Sequence, residues 1–352
     1  MQPYFSIILP IYNVAAYLDR CVRSVLEQDF KDYEIILVND GSTDESPRIC
    51  ERYAREYACV RVVHKENGGL ASARNTGLDA ALGRYIWWVD SDDWIEPGSL
   101  ERLYRASCDD SPDMVKFSHY RVEGARRTET LSNAEPGLYE GGAGIERLMD
   151  WALYSAGQFS LSAWGVIYRH EFLKRMGAEF VSERIIGSED YLFNLQLIPQ
   201  AEKVRVLGQC FYNYEMRMGS LTQRYKKELP QRYTRLFHQM EESYGRMGLL
   251  DRYREGISFF YVWHLMRGIC VPNEYYVAEG HTLADGRRNI RRFLGSEDFL
   301  RALGSCDGHR MVRKNWKLYL ALKYKLEIVL FGMYVVKPGL RKGLRCKDDT
   351  EN

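Results

Sequence analysis

The sequence has no Cys-x-x-Cys pair and no Cys/His metal spacing, although it carries eight cysteines, at 21, 50, 59, 108, 210, 270, 306 and 346. Thiols this dispersed in a chain this long exclude a disulfide framework and are expected of a reduced, cytoplasmic protein. Long apolar runs are missing as well. No stretch approaches the roughly 18 residues of a membrane span. The N-terminal MQPYFSIILPIYN has no basic segment ahead of its apolar one, so it does not read as a signal peptide. Charge of one sign is absent too, with 49 basic against 48 acidic residues. That balance argues against nucleic acid as a partner of the chain as a whole. No G-x-G-x-x-G follows any candidate strand, which excludes a dinucleotide dehydrogenase. There is no internal repeat and no low-complexity linker. What remains is a chain of 352 residues, longer than one hydrophobic core supports, so more than one subdomain is expected.

Strand and helix patterns alternate through the first hundred residues. YFSIILPIY, YEIILVNDG, VRVVH and YIWWVDSDDW read as strands. Residues 14–28, 44–58 and the segment after NGG read as helices, the second with Ser42 and Glu45 at capping-box spacing. This order predicts an α/β fold with a mostly parallel sheet covered on both faces. Ligands then bind at the carboxyl ends of the strands, where Asp40, His64 to Gly69 and Asp90 to Asp93 fall. Three regions are expected, over 1–100, 101–225 and, mostly helical, 226–352. PDMVKFSHYRV and KVRVLGQCFYNYEMR read as further strands, and SEDYLFNLQLIPQA as a helix.

The fourth strand runs straight into Asp90, Asp92 and Asp93. Carboxylates this close repel, and each loses hydration when partly buried. A divalent cation among the oxygens makes the cluster favourable, and Mg²⁺ and Mn²⁺ prefer such ligands. Two carboxylates alone make a poor site, so a phosphate-bearing substrate is expected to complete the shell. The alternative is that the aspartates only cap the turn DDWIEPG.

SIILPIYN, IILVNDGSTD, NGGLASARNTG, WWVDSDDWIEP and GSEDYLF, in this order, resemble the family 2 glycosyltransferases over residues 4 to about 222. The resemblance implies the GT-A fold and an inverting enzyme that draws on a nucleotide sugar. It implies a nucleotide pocket walled by Pro10, Tyr12 and Asn13, with Asp40 accepting from the uracil N3–H of a UDP-sugar. Gly68 and Gly69 would let the backbone approach the donor. Arg74 would face the nucleotide carboxylates or the diphosphate, Asp92 would be the principal metal ligand, and Asp90 would lie nearest the ribose and the metal waters. The cofactor implied is Mn²⁺ or Mg²⁺, with no third protein ligand identifiable. Asp190 matches the base that deprotonates the acceptor hydroxyl, and Glu189 stands beside it at a helix start that favours both charges. The bland reading is that this pair only complements the helix dipole. Trp164 is either a stacking surface for the acceptor sugar or a core residue. Arg217 and Ser220 match a loop that closes on the diphosphate, where a guanidinium offsets developing charge. The implied acceptor is a glycan or lipid-linked oligosaccharide of surface polysaccharide synthesis.

Residues 310–347 hold eleven Lys/Arg and one acid, Glu327, with Tyr319, Leu322, Leu326, Val329, Met333 and Val336 at helical spacing. Such a basic amphipathic helix either lies on an anionic membrane surface, as a peripheral contact at the inner face of the plasma membrane, or packs on the protein. Two rivals stand beside the enzyme. A catalytically weak or inactive sugar-nucleotide-binding scaffold would have lost Asp92 or Asp190, and both are present. A sugar-phosphate nucleotidyltransferase needs a G-x-G-T-x-x-x-P-x-T loop after the first strand, where this chain has PIYNVAAYLDR.

Overall fold

Every residue of β1 (Phe5–Ile11) is buried, as an interior strand of a sheet covered on both faces requires. The computed structural model describes residues 2–132, 134–155, 159–216, 225–276 and 280–336, in two compact units, Met1–Met218 and Gly219–Asn352. In the first unit β1 lies between β2 (Tyr33–Asp40) and β4 (Tyr85–Trp88), with β3 (Val60–Lys65) beyond β2, all parallel. The helices α1 (Ala15–Leu26), α2 (Ser46–Glu56) and α3 (Leu70–Ala80) make the crossovers between them. This is the expected α/β architecture with a mostly parallel central sheet.

The sheet continues from β4 through β9 (Val166–Arg169), β6 (Met114–Glu123) and β10 (Lys203–Glu215) to β5 (Trp94–Ile95). Here β9 runs antiparallel to both its neighbours, while β6 and β10 are parallel. β7 (Arg126–Thr130) and β8 (Gly137–Glu140) add antiparallel edges to β6 and β10. The expected fourth strand over YIWWVDSDDW is shorter than read: it stops at Trp88, and the chain turns through the aspartates before β5 pairs with β10. The capping box at Ser42 is also corrected, since α2 begins at Ser46 and Ser42 Oγ instead accepts from the Asn13 amide at 3.1 Å.

Trp87 and Trp88 show how the sheet is built around the site. Neighbouring strand residues point to opposite faces. Trp87 joins the core with Val22, Val25, Phe117 and Phe211. Trp88 packs edge-on against Tyr168, Phe180 and Phe193, on the other face, and its Nε1 donates to the Arg74 carbonyl at 3.3 Å. Helix α3 lies close on this face. A Cβ at Gly77 would come within 2.2 Å of Ile8 Cγ2. Arg74 lies about one turn before this close approach of α3 to β1.

The second unit is helical in its described residues, as read from the sequence. The longest helices are Leu229–Arg246 and Gly308–Lys323. The basic tail is not one helix. Gly308–Lys323 carries a non-helical residue at Asn315, Lys325 turns a corner at φ +55°, and a new helix starts at Glu327. Glu327 is buried, so the expected stripe splits: Leu322 faces the interior and Leu326 the solvent. No described helix is long and apolar enough to cross a membrane.

Candidate active site

The loops after β1 and β2 interlock. Asn13, held at φ +52°, accepts from the Thr43 amide at 2.8 Å through its side chain, and the Ala15 amide donates to Asp44 at 3.0 Å. Tyr12 is left half exposed on the rim. Pro10 sits beyond the last residue paired with β4, so its missing N–H breaks no ladder bond there, and its carbonyl accepts from Ser91 Oγ at 2.7 Å. Pro10 thus touches the aspartate loop, while Asn13 ties the loop after β1 to the loop after β2.

Asp40 ends β2, buried and well occupied. Its carboxylate accepts from Lys65 Nζ at 2.6 Å and from the amides of Gly68 and Gly69, each at 2.9 Å. Three of about four acceptor positions are in use, which leaves room for one more donor. Gly69 adopts φ +92°, a conformation that side chains rarely take, and a Cβ there would meet Glu183 Oε1 at 2.5 Å. The Glu183 carboxylate accepts from Leu70 and Ala71, the first amides of α3, at 3.3 and 3.2 Å. Arg184 donates to Asn67 Oδ1 at 2.6 Å, and Asn75 exchanges two bonds with the Phe180 backbone. The 180–184 segment is thus docked on the donor loop. Sequence reading missed Glu183, whose only signal was an acid six residues ahead of the Glu-Asp pair.

Arg74 is the centre of the arrangement and is only 1% exposed. Its Nη2 donates to Asp90 Oδ1 at 2.9 Å, and its Nη1 to Glu189 Oε1 at 2.9 Å and to Asp190. The two acids open helix Glu189–Leu197, and the Ala163 amide also donates to Asp190. Aspartate at a strand end and the Glu-Asp pair, a hundred residues apart, meet on one guanidinium. Burial pushes the carboxyls of Glu189 and Asp190 above their ordinary range; the charge of Arg74 opposes this for both. One arginine faces three carboxylates.

Asp92 is partly exposed, and its carbonyl accepts from Arg20 Nη2 at 2.9 Å. Arg20 lies 3.8 Å over the Trp94 ring and pairs with Glu215 at 2.8 Å. Each carboxylate oxygen of Asp93 is bonded within the fold: Tyr212 Oη donates at 2.6 Å and the Glu215 amide at 2.8 Å. Burial, then the nearby Asp92 and Asp90, push its carboxyl up. It ties the aspartate turn to β10. Arg20 was not visible as a partner in the sequence, because a helix arginine with no nearby motif reads as surface.

Of the two readings of Trp164, stacking surface or core residue, the structure agrees with the second. It is 6% exposed and lies parallel to Tyr212, with ring centroids 4.5 Å apart, and to Tyr214 at 5.8 Å. Its carbonyl accepts from Trp87 Nε1 at 2.8 Å. It is core. Arg217 and Ser220 lie outside the described residues.

This geometry can be set beside known proteins. The profile described as Glycosyl transferase family 2 matches residues 6–171. A Bacillus subtilis protein named "Uncharacterized glycosyltransferase EpsJ" is 32% identical over 97% of this chain and 98% of its own length. The chain belongs to glycosyl transferase family 2. Family membership makes it a sugar-transferring enzyme. Among solved structures, S. aureus TarS in complex with UDP-GlcNAc covers 97% of the chain and 92% of its own, at TM-score 0.66 and 21% identity. A mannosyltransferase from Pyrobaculum calidifontis, in complex with GDP-Man and Mn²⁺, covers 95% and 88%, at TM-score 0.51 and 16% identity. These two share the fold.

Proposed function

We propose that this family 2 enzyme transfers a sugar from a UDP-sugar, with inversion, to a hydroxyl of a glycan or lipid-linked saccharide of surface polysaccharide synthesis. The observation that carries this reading is the joining of Asp90 to the Glu189–Asp190 pair on the buried Arg74. Donor-side and acceptor-side acids held on one rigid group suit a single displacement. Asp190 accepts the proton of the acceptor hydroxyl, whose oxygen forms the new bond to the anomeric carbon. The bond from that carbon to the diphosphate breaks on the opposite side, and UDP leaves with the electron pair. A raised proton affinity makes Asp190 a better base at neutral pH. Glu189 holds a proton beside it and leaves the second charge to Asp190. Arg74 fixes all three carboxylates in place.

The donor set at the aspartate turn fits a hard divalent cation. Asp90 and Asp92 offer carboxylate oxygens, Asp93 is already spent on Tyr212 and Glu215, and no group of three His, Cys, Asp or Glu side chains forms a metal site among the described residues. Mn²⁺ or Mg²⁺ would be held by Asp90 and Asp92, with diphosphate oxygens and water completing the shell. A cation bound there supplies positive charge to the departing diphosphate. The nucleotide lies against Pro10, Tyr12, Asn13 and Gly68, and the last acceptor position of Asp40 takes the uracil N3–H. A solved neighbour that binds GDP-Man makes the base worth testing. Calorimetric titration with UDP, GDP and CDP, each with Mn²⁺, is expected to rank UDP tightest. Tighter binding of GDP or CDP would sink the uracil contact.

A further inference from the structure

The second unit carries a surface with an unusual make-up. Among the described side chains between 311 and 334 nine are exposed; five are Lys or Arg, four are large and apolar, and none is acidic or small and polar. The apolar four are Trp316, Tyr324, Leu326 and Ile328, at 55, 61, 43 and 67% exposed. They are four of the eleven large hydrophobics exposed among the described residues, gathered within thirteen positions. The one acid of the stretch, Glu327, is drawn inside and neutralised by Arg287 at 2.5 Å and Arg291 at 3.2 Å. The Lys317 ammonium lies 5.5 Å from the Trp316 ring centroid, and that of Lys323 5.8 Å from the Tyr324 ring. The corner at Lys325 and the first turn of the next helix then present Leu326 and Ile328.

We propose that this corner, Trp316 to Ile328, docks the enzyme on an anionic lipid bilayer. Lysines interleaved with Trp and Tyr match the charged and interfacial layers of a membrane, and the aliphatic tips enter beneath them. The two aliphatic residues decide between partners. A polyanionic glycan or nucleic acid is bound by cations and aromatic stacking and has no use for exposed Leu326 and Ile328. The docking deepens the proposed function and rests on it for the acceptor alone: it brings the enzyme to the surface where a lipid-linked saccharide resides.

The test is co-sedimentation of the full chain with vesicles of phosphatidylcholine, alone or mixed with phosphatidylglycerol, in parallel with UDP titration of the same samples. Binding is expected to the mixed vesicles and to weaken with salt. Replacing Lys317, Lys323 and Lys325 together by Gln should weaken it roughly a hundredfold, about fivefold per lysine. Y324S/I328S should weaken it as well, with UDP affinity unchanged in both variants. Absence of vesicle binding overturns the docking. So does a lysine variant that sediments like the parent, or a Y324S/I328S variant that does so while dextran sulfate competes the parent off. UDP binding lost in the parent with vesicle binding intact would instead overturn the donor reading alone.

Discussion

Glu327 and the Glu189–Asp190 pair are both buried acids held by arginine, yet they are compensated in opposite ways. Two guanidiniums, of Arg287 and Arg291, serve the single carboxylate of Glu327. At the active site a single guanidinium serves Asp90, Glu189 and Asp190. An ion pair that only stabilises a fold gains by matching its charges, because unmatched buried charge carries a desolvation cost. The surplus at Arg74 makes no sense as scaffolding. It suits the proposed centre, which would hold a proton and a cation during each turnover. The lesson is that the ratio of acids to bases separates the two sites better than burial does.

Removing the arginine should break the contrast most severely. Arg74→Ala leaves three carboxylates facing one another and should cost about 3–5 kcal/mol of stability with loss of turnover. Glu327→Gln leaves two arginines that are 38 and 63% exposed and can turn to water, so its cost should be about 1 kcal/mol. Chemical denaturation of both variants measures this. Equal losses would erase the distinction.

A smaller effect lies in the pH dependence. Both acids have folded pKa values above their unfolded ones, so their contribution to stability is present below the ordinary carboxylate range, at about pH 4, and is lost as pH rises through the raised values. In the proposed mechanism activity runs the other way, since Asp190 has to be ionised to accept a proton. The acid limb of kcat should therefore fall above the ordinary carboxylate range. Glu189→Gln keeps that neighbour neutral, as the protonated Glu189 is, and should leave the limb in place. A wild-type limb near pH 4 would contradict the account.

Much of the donor half was legible because buried parallel strands write themselves as unbroken apolar runs, and SIILP, YEIILV and YIWW did so. The strand ends then placed Asp40 and Asp90 without further information. The far half was harder. β9 is four residues and β5 two, too short for a periodic signal, and the antiparallel insertion of β9 depends on packing, not on local pattern. Trp164 was ambiguous for a related reason: an indole that stacks on sugar and one that stacks on Tyr212 are the same residue until the neighbours are known. Arg74 was identified as a site residue, but its part in joining Asp90 to Asp190 is a tertiary fact that no spacing encodes. Arg20 and Glu183 reach across 72 and 113 residues, contacts that no local pattern encodes.

The most direct test of the central claim is Asp190→Asn, followed by turnover and thermal midpoint on the same preparation. The variant relieves surplus buried negative charge while removing the base. Turnover should fall by about two to four orders of magnitude, with donor binding nearly unchanged and the midpoint equal to or above the parent's. A midpoint that drops by several degrees while turnover persists would mean that Asp190 is a structural partner of Arg74 and that the charge imbalance has nothing to do with catalysis.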